Sequence, residues 1–370
     1  MSESPADQER PPFRVLSIDG GGIRGLYTAS LLRQLCNRLG PDSDDTTASW
    51  DLGAQFDLIV GTSTGSILAT ALAAGVRLED VISLYRRGDR IFQNPEPSSK
   101  STCFGRLAGY MWVLGRLLRP ANRPEPLRDA LYGVLKAETL GDLYRRRGIA
   151  LCIPSINAHT QQGWVFKTPH APRLNRDNAT KLVDICMASS AAPIFFPLHG
   201  IEEPHVGSAT TQWFVDGGLW ANNPVMVALA ESIEIAPSRR VEILSVGTSS
   251  APKANLVDSR TAKRGVWRWK GGADVVTMSL ESQANTTAYL AARISTGMPN
   301  FHLHRLEEPP VTAEESAYLG LDAVSPKAID VLLKRAARAA DMNVSALTRE
   351  GLDPARRATR EVFATMSKLG

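Results

Sequence analysis

The chain has 370 residues, 43% hydrophobic and 22% charged, with a formal net charge of +4. That is enough apolar sequence for one large domain with an extension, or for two domains. The charges are interspersed without a long basic run, so neither DNA nor RNA is expected as a partner; the small positive excess permits contact with anionic lipids or nucleotides without demanding it.

Residues 1–12 (MSESPADQERPP) are polar and aperiodic and are expected to be disordered. They hold no apolar run, so no signal peptide is expected. Phe13–Ile18 reads as a strand. It meets the cluster Asp19-Gly20-Gly21-Gly22, and the spacing of Leu31, Leu32, Leu35 and Leu39 then predicts a helix over 26–39. Residues 40–51 form a polar loop, in which Asp42, Asp44 and Asp45 read as solvated acids. A buried-type strand at 56–60 runs into Gly61-Thr62-Ser63-Thr64-Gly65 and a small-residue helix to about Gly75. Another helix is predicted over 78–87. Residues 93–126 turn rich in Pro, Ser and Arg and read as an insertion or lid. Strands are predicted at 149–156 and 164–167, a helix at 181–188, and a strand at 212–215 ending on Asp216-Gly217-Gly218. A helix over 224–235 opens on a proline, which its first turn tolerates. Val241–Val246 is a strand. From 251 the pattern is mostly helical (273–294, 326–342, 354–368) with one strand at 300–305. Alternation of strands and helices over 13–250 predicts an α/β domain with a largely parallel central sheet flanked by helices. Residues 251–370 are expected to be a mostly helical extension packed on it.

No stretch approaches the ~20 apolar residues of a membrane span. A soluble, cytoplasmic protein is expected, with any membrane contact peripheral. The four cysteines, Cys36, Cys103, Cys152 and Cys186, show no CxxC and read as reduced thiols. Cysteine and histidine show no ligand spacing, so no metal site is expected.

Three motifs carry chemistry. The first is Gly61-Thr62-Ser63-Thr64-Gly65 between a buried strand and a helix. That is the setting of a nucleophile elbow, where a cramped turn requires small neighbours and the helix N-terminus favours negative charge near Ser63. The same five residues also arise as a plain strand–helix turn. The second motif is Asp19-Gly20-Gly21-Gly22-Ile23-Arg24-Gly25. Its glycines let backbone N–H groups approach a developing oxyanion, with Gly20, Gly21 and Gly22 as the candidates. Gly20, Gly22 and Gly25 also satisfy GxGxxG, the dinucleotide-binding fingerprint, which would make the chain an oxidoreductase. That reading needs an acidic residue ending a second strand about 20 residues on, and the window there (PDSDDTTASWD) has acids but no strand. The third motif is Asp216-Gly217-Gly218 at a strand end, able to aim a carboxylate at the elbow but also an ordinary turn. Of six histidines, His199 is the best candidate for a Ser–His–Asp triad.

DGGGIRG at 19–25, GTSTG at 61–65 and DGG at 216–218, in this order and spacing, resemble the patatin-like phospholipase family. SSAAPIFFP at 189–197 and DGGLWANNP at 216–224 resemble it too, so the likeness spans roughly residues 14–250. It implies a patatin-like three-layer fold and a Ser–Asp dyad, with Ser63 as nucleophile and Asp216 as its base. Gly20–Gly22 would form the oxyanion hole, and Arg24, Gly25, Gly61, Gly65, Gly217 and Gly218 would support the motifs. It implies no cofactor for catalysis. The segment WVFKTPHAP (164–172) with LVDICMASSAAP behind it resembles bacterial patatin-like effectors of cyclic-oligonucleotide antiphage systems (CBASS). That likeness implies a cyclic di- or trinucleotide activator, a phospholipid substrate and peripheral contact with the inner membrane. Homo-oligomerisation stays open. One stretch bears on membrane contact: Phe104, Leu107, Tyr110, Met111, Leu114, Leu117 and Leu118 alternate with Arg106, Arg116 and Arg119. It reads either as an interfacial helix or lid, or as a helix packed on the core. A silent binding or storage protein on the same fold is the remaining alternative, and the intact Ser63 and Asp216 argue against it.

Overall fold

A computed structural model of the chain describes residues 10–41, 49–95, 119–203, 210–249 and 272–369, with isolated positions between 111 and 115 and between 262 and 269. Residues 1–9, the acids at 42, 44 and 45, Cys103 and the apolar positions 104, 107, 110, 117 and 118 lie outside this description.

Eight strands form one sheet: β1 (Phe13–Ile18), β2 (Leu58–Gly61), β3 (Ala150–Asn157), β4 (Gln162–Lys167), β5 (His199–Glu203), β6 (Thr210–Asp216), β7 (Val241–Val246) and β8 (Phe301–Arg305). The order is β5-β6-β3-β2-β1-β7-β8, with β4 also on β3. Strands β3, β2, β1, β7 and β8 are mutually parallel, whereas β4 and β6 run antiparallel to β3, and β5 antiparallel to β6. The described helices are α1 (Gly25–Leu39), α2 (Thr64–Ala73), α3 (Leu78–Arg86), α4 (Gly88–Ile91), α5 (Glu125–Leu135), α6 (Leu140–Arg147), α7 (Leu182–Ser189), α8 (Gly218–Ala221), α9 (Val225–Ile235), α10 (Ala273–Gly297), α11 (Ala313–Ser316), α12 (Pro326–Leu347) and α13 (Pro354–Ala364).

The period-two alternation of a strand sorts these into three layers. Leu16, Ile18, Ile59, Leu244 and Val246 bury into one core with Leu26, Leu32, Leu68, Leu131, Ile185 and Leu332, from α1, α2, α5, α7 and α12. Their neighbours Val15, Leu58, Val60, Val241 and Ile243 bury into the opposite core with Val225, Leu229 and Ala291, from α9 and α10. Each such side chain removed from water contributes roughly 1.5–3 kcal/mol, so the two apolar faces dominate what holds the sheet between its helices.

The described residues beyond 251 are mostly helical, and the one strand among them, β8, extends the sheet beside β7 rather than standing outside it. Sequence reasoning missed β5, α5 and α6, and the one-turn helices α4, α8 and α11. The strand His199–Glu203 is short and carries two acids, which hide its pattern. Helix α6 does open on a readable signal, the capping box between Thr139 and Asp142.

Candidate active site

The site lies at the carboxyl ends of β1 and β2. Strand β3 assembles it. One edge of β3 carries β4 over Cys152–Asn157, so β2 and β6 must share the other edge. Strand β2 pairs with Ala150–Cys152 and then leaves into its turn, while β6 arrives from the opposite direction and ends with Asp216 facing Ser155. The two motifs, far apart in sequence, thus meet end to end.

Ser63 sits at φ 53°, ψ −126°, a conformation that costs a non-glycine residue of order 1–3 kcal/mol. The surroundings enforce it. A Cβ on Gly61 would lie 2.3 Å from the Gly65 carbonyl, and one on Gly65 2.5 Å from the Asp19 carbonyl. Only glycines fit, which is the physical content of the pattern. The Ser63 N–H donates to Ser189 Oγ at 2.9 Å, and that hydroxyl donates to the Pro154 carbonyl at 2.7 Å. Ser66 N–H and Oγ both return to the Ser63 carbonyl.

Ser63 Oγ donates to Asp216 Oδ2 at 2.8 Å. The other carboxylate oxygen accepts from the Gly218 N–H at 2.6 Å, a bond that Gly217 and Gly218 allow by turning the chain sharply. Burial pushes the Asp216 carboxyl up to about 7, the hydrogen bonds from Gly218 and Ser63 pulling less strongly the other way. His199 is elsewhere: its Nε2 meets Asp184 Oδ1 at 3.1 Å, and among the described residues no histidine lines the cavity at Ser63. A triad through His199 is therefore corrected to a direct Ser63–Asp216 contact.

The glycine loop is pinned from behind. A trans peptide points its carbonyl and N–H to opposite sides. Thr248 Oγ1 donates to the Gly20 carbonyl at 3.0 Å, and Arg24 Nε to the Gly21 carbonyl at 3.1 Å. Both bonds turn the following N–H groups, of Gly21 and Gly22, away from these partners, and neither N–H meets an acceptor among the described residues. Both glycines line the cavity with Ser63. Gly20 departs from expectation. Its N–H is engaged by the Asn222 carbonyl at 2.8 Å, so it cannot serve as an oxyanion donor. The Thr64 N–H, first in α2, is likewise without an acceptor among the described residues; sequence reasoning did not single it out, although its place directly after Ser63 in the elbow pattern was a signal.

Remote segments brace this loop. Arg24 is buried and pairs with Glu281 of α10 at 2.8 Å. Asp19 pairs with Arg305 of β8 at 2.6 Å, and Ile23 N–H donates to the Leu321 carbonyl at 2.8 Å. The cavity is mostly apolar, walled by Ile67, Leu84, Ile91, Phe92, Phe195 and Phe196, with Thr64, Ser190 and Asn222 as further polar side chains in its lining. A carboxylate of raised pKa bonded to a serine, with free N–H groups beside an apolar cleft, can transfer an acyl group.

The fold does bring Cys152, His170 and Glu231 within 4.8 Å of one another, which local spacing could not reveal. The Glu231 oxygens are already taken by His170 Nε2 and Lys167 Nζ, and a lysine ammonium there disfavours a cation.

Fold and site define an ester hydrolase, and the model of the Patatin-like phospholipase family matches residues 16–229. The chain belongs to that family. Within it the chain falls in a bacterial branch: "cGAMP-activated phospholipase" of Escherichia coli (strain TW11681) is 32% identical over 358 residues, spanning 91% of this chain and 88% of the relative. A protein of the same name from Vibrio cholerae is 31% identical, spanning 87% and 88%. Patatin-like protein 1 of Oryza sativa subsp. indica is 29% identical, spanning 78% and 72%. The dinucleotide-binding reading of Gly20, Gly22 and Gly25 is thereby set aside.

Proposed function

We propose that the chain hydrolyses acyl esters of membrane phospholipids through an acyl-enzyme on Ser63, and that a cyclic oligonucleotide switches it on in antiphage defence. The observation that carries the chemistry is the 2.8 Å contact between Ser63 Oγ and Asp216 Oδ2. As Oγ attacks the ester carbonyl, Asp216 takes its proton. The negative charge gathers on the former carbonyl oxygen, met by the N–H groups of Gly21, Gly22 and Thr64; one such donor contributes on the order of 10²–10³-fold in rate. Collapse expels the alcohol, which leaves with the proton from Asp216. Water then gives a proton to Asp216 and attacks the acyl carbon, and Ser63 recovers its hydrogen as the acid departs. A base titrating near about 7 is matched to neutral pH.

The nucleotide control is supported by the bacterial relatives, each a cGAMP-activated phospholipase. Peripheral contact with a membrane is in keeping with the exposed Met111 and Leu114, 60% and 49% accessible, beside Trp112, which packs on Ala121 and Ala273. Among the described residues no helix is long and apolar enough to cross a membrane.

The test is fatty-acid release from phosphatidylglycerol vesicles, with and without a panel of cyclic di- and trinucleotides that includes cGAMP. Release that needs one nucleotide is the expected result. Equal release throughout would favour a constitutive patatin-like esterase. No release under any condition, with no labelling of Ser63 by a fluorophosphonate, would reject the hydrolase.

A further inference from the structure

A second cavity adjoins the first, and Leu127, Ser190 and Phe196 belong to the walls of both. The partition carries an unexplained group. Ser190 is 8% exposed, and its shielded Oγ has no hydrogen-bond partner among the described residues. A buried hydroxyl left without a partner is unfavourable and rare in a native fold. The neighbouring Ser189 shows the contrast, since its hydroxyl both accepts from Ser63 and donates to Pro154.

The two cavities differ in chemistry. The one at Ser63 is walled mostly by aliphatic and aromatic side chains and, among the described residues, carries no charged group but Asp216. The second adds Arg128, Glu125 and His199 to its apolar wall. Arg128 is exposed on α5 and pairs with no carboxylate among the described residues, whereas His199 is held by Asp184. An ester has two sides at its carbonyl carbon, an acyl chain and an alcohol, and they must leave Ser63 in different directions.

We propose that the second cavity is the alcohol-side subsite. Ser190 Oγ hydrogen-bonds the ester's alcohol portion as it passes the partition, and Arg128 pairs with a phosphate that this alcohol carries. The substrate class is then an acyl ester of a phosphorylated alcohol. Glu125, in the same wall, opposes the anion and tempers the preference. The assignment rests on Ser63 being an acyl-transfer nucleophile.

The experiment compares two esters of one acyl chain, lysophosphatidylglycerol and monoacylglycerol, in mixed micelles of one detergent, with and without cGAMP. The readout is the ratio of their kcat/KM values. Arg128→Gln lowers the ratio by about tenfold, the loss of one charge-assisted contact. Glu125→Gln raises it. Ser190→Ala lowers kcat/KM about tenfold on both esters, the size of one neutral hydrogen bond. Labelling of Ser63 by a fluorophosphonate, whose leaving group is fluoride, reports an intact dyad in each variant. A ratio unmoved by both charge changes overturns the subsite, as does a Ser190→Ala enzyme with wild-type kcat/KM on both esters. Arg128 and Glu125 are exposed, so their variants decide the matter even if Ser190→Ala misfolds. Wild-type protein that neither hydrolyses nor labels would instead sink the hydrolase reading beneath it.

Discussion

Two strand–turn–helix units stand side by side at the head of the sheet, and they are held in opposite ways. The elbow after β2 takes much of its shape from its own residues: Ser66 caps the Ser63 carbonyl and Gly61 packs on Gly65, with Ser189 and the end of β1 as its outside supports. The loop after β1 borrows its shape from far away. Thr248, Glu281, Arg305 and Leu321 each hold one part of it, and three of these four lie beyond residue 272. The difference teaches that the proposed nucleophile is largely legible in its local sequence, whereas the glycine N–H groups proposed as oxyanion donors depend on the C-terminal helices and on β8.

The largest effect belongs to the dyad. Ser63→Ala and Asp216→Ala each lower phospholipid hydrolysis by at least about 10³-fold with unchanged circular dichroism. Residual turnover near wild type in either would break the account of the elbow. Next comes Gly65→Ala, which forces a Cβ to 2.5 and 2.6 Å from the carbonyls of Asp19 and Ile18. Backbone cannot yield as a side chain would, so denaturant unfolding should show a loss of about 3 kcal/mol or more. The loop should lose rate first. Arg24→Met lowers kcat by about 10²-fold and also costs stability, because Glu281 is left without its buried partner. Thr248→Val lowers kcat by about tenfold with KM and stability little changed, because it releases the peptide plane that aims the Gly21 N–H. Glu281→Gln, one contact further out, costs only a few-fold in kcat. If Thr248→Val instead lost stability as Gly65→Ala does, the contrast between the two units would fail.

Legibility in the sequence follows the same division. The elbow was readable because its constraint is steric and local: small residues two apart, between an apolar strand and an Ala/Leu-rich helix. The core strands β1, β2, β3 and β7 were readable from their continuous apolar runs. Asp216 was only a turn until the family likeness tied it to Ser63, since nothing in residues 212–218 says which strand lies beside them. The braces at Thr248, Glu281 and Arg305 carry no pattern at all; they are ordinary polar residues made important by β8 joining the sheet and α10 crossing above α8. Gly20 was misread as a donor for the same reason, because its partner, the Asn222 carbonyl, comes from a distant turn.

Asp216 offers the sharpest quantity. Its carboxyl titrates at about 7 in the folded protein, raised by burial from an ordinary 3.8. An unfolded chain releases that proton first, so the folded state loses stability as pH rises across this window, and the cost is complete above about 7. Asp216→Asn removes it and should raise Tm more at pH 8 than at pH 4.

The most direct test of the Ser63–Asp216 pair is the rate at which a fluorophosphonate labels Ser63 as a function of pH. The account predicts a rate that climbs with pH, levels off above about 7, and collapses at every pH in Asp216→Asn. A flat profile, or a profile that survives in Asp216→Asn, would show that some other group takes the proton.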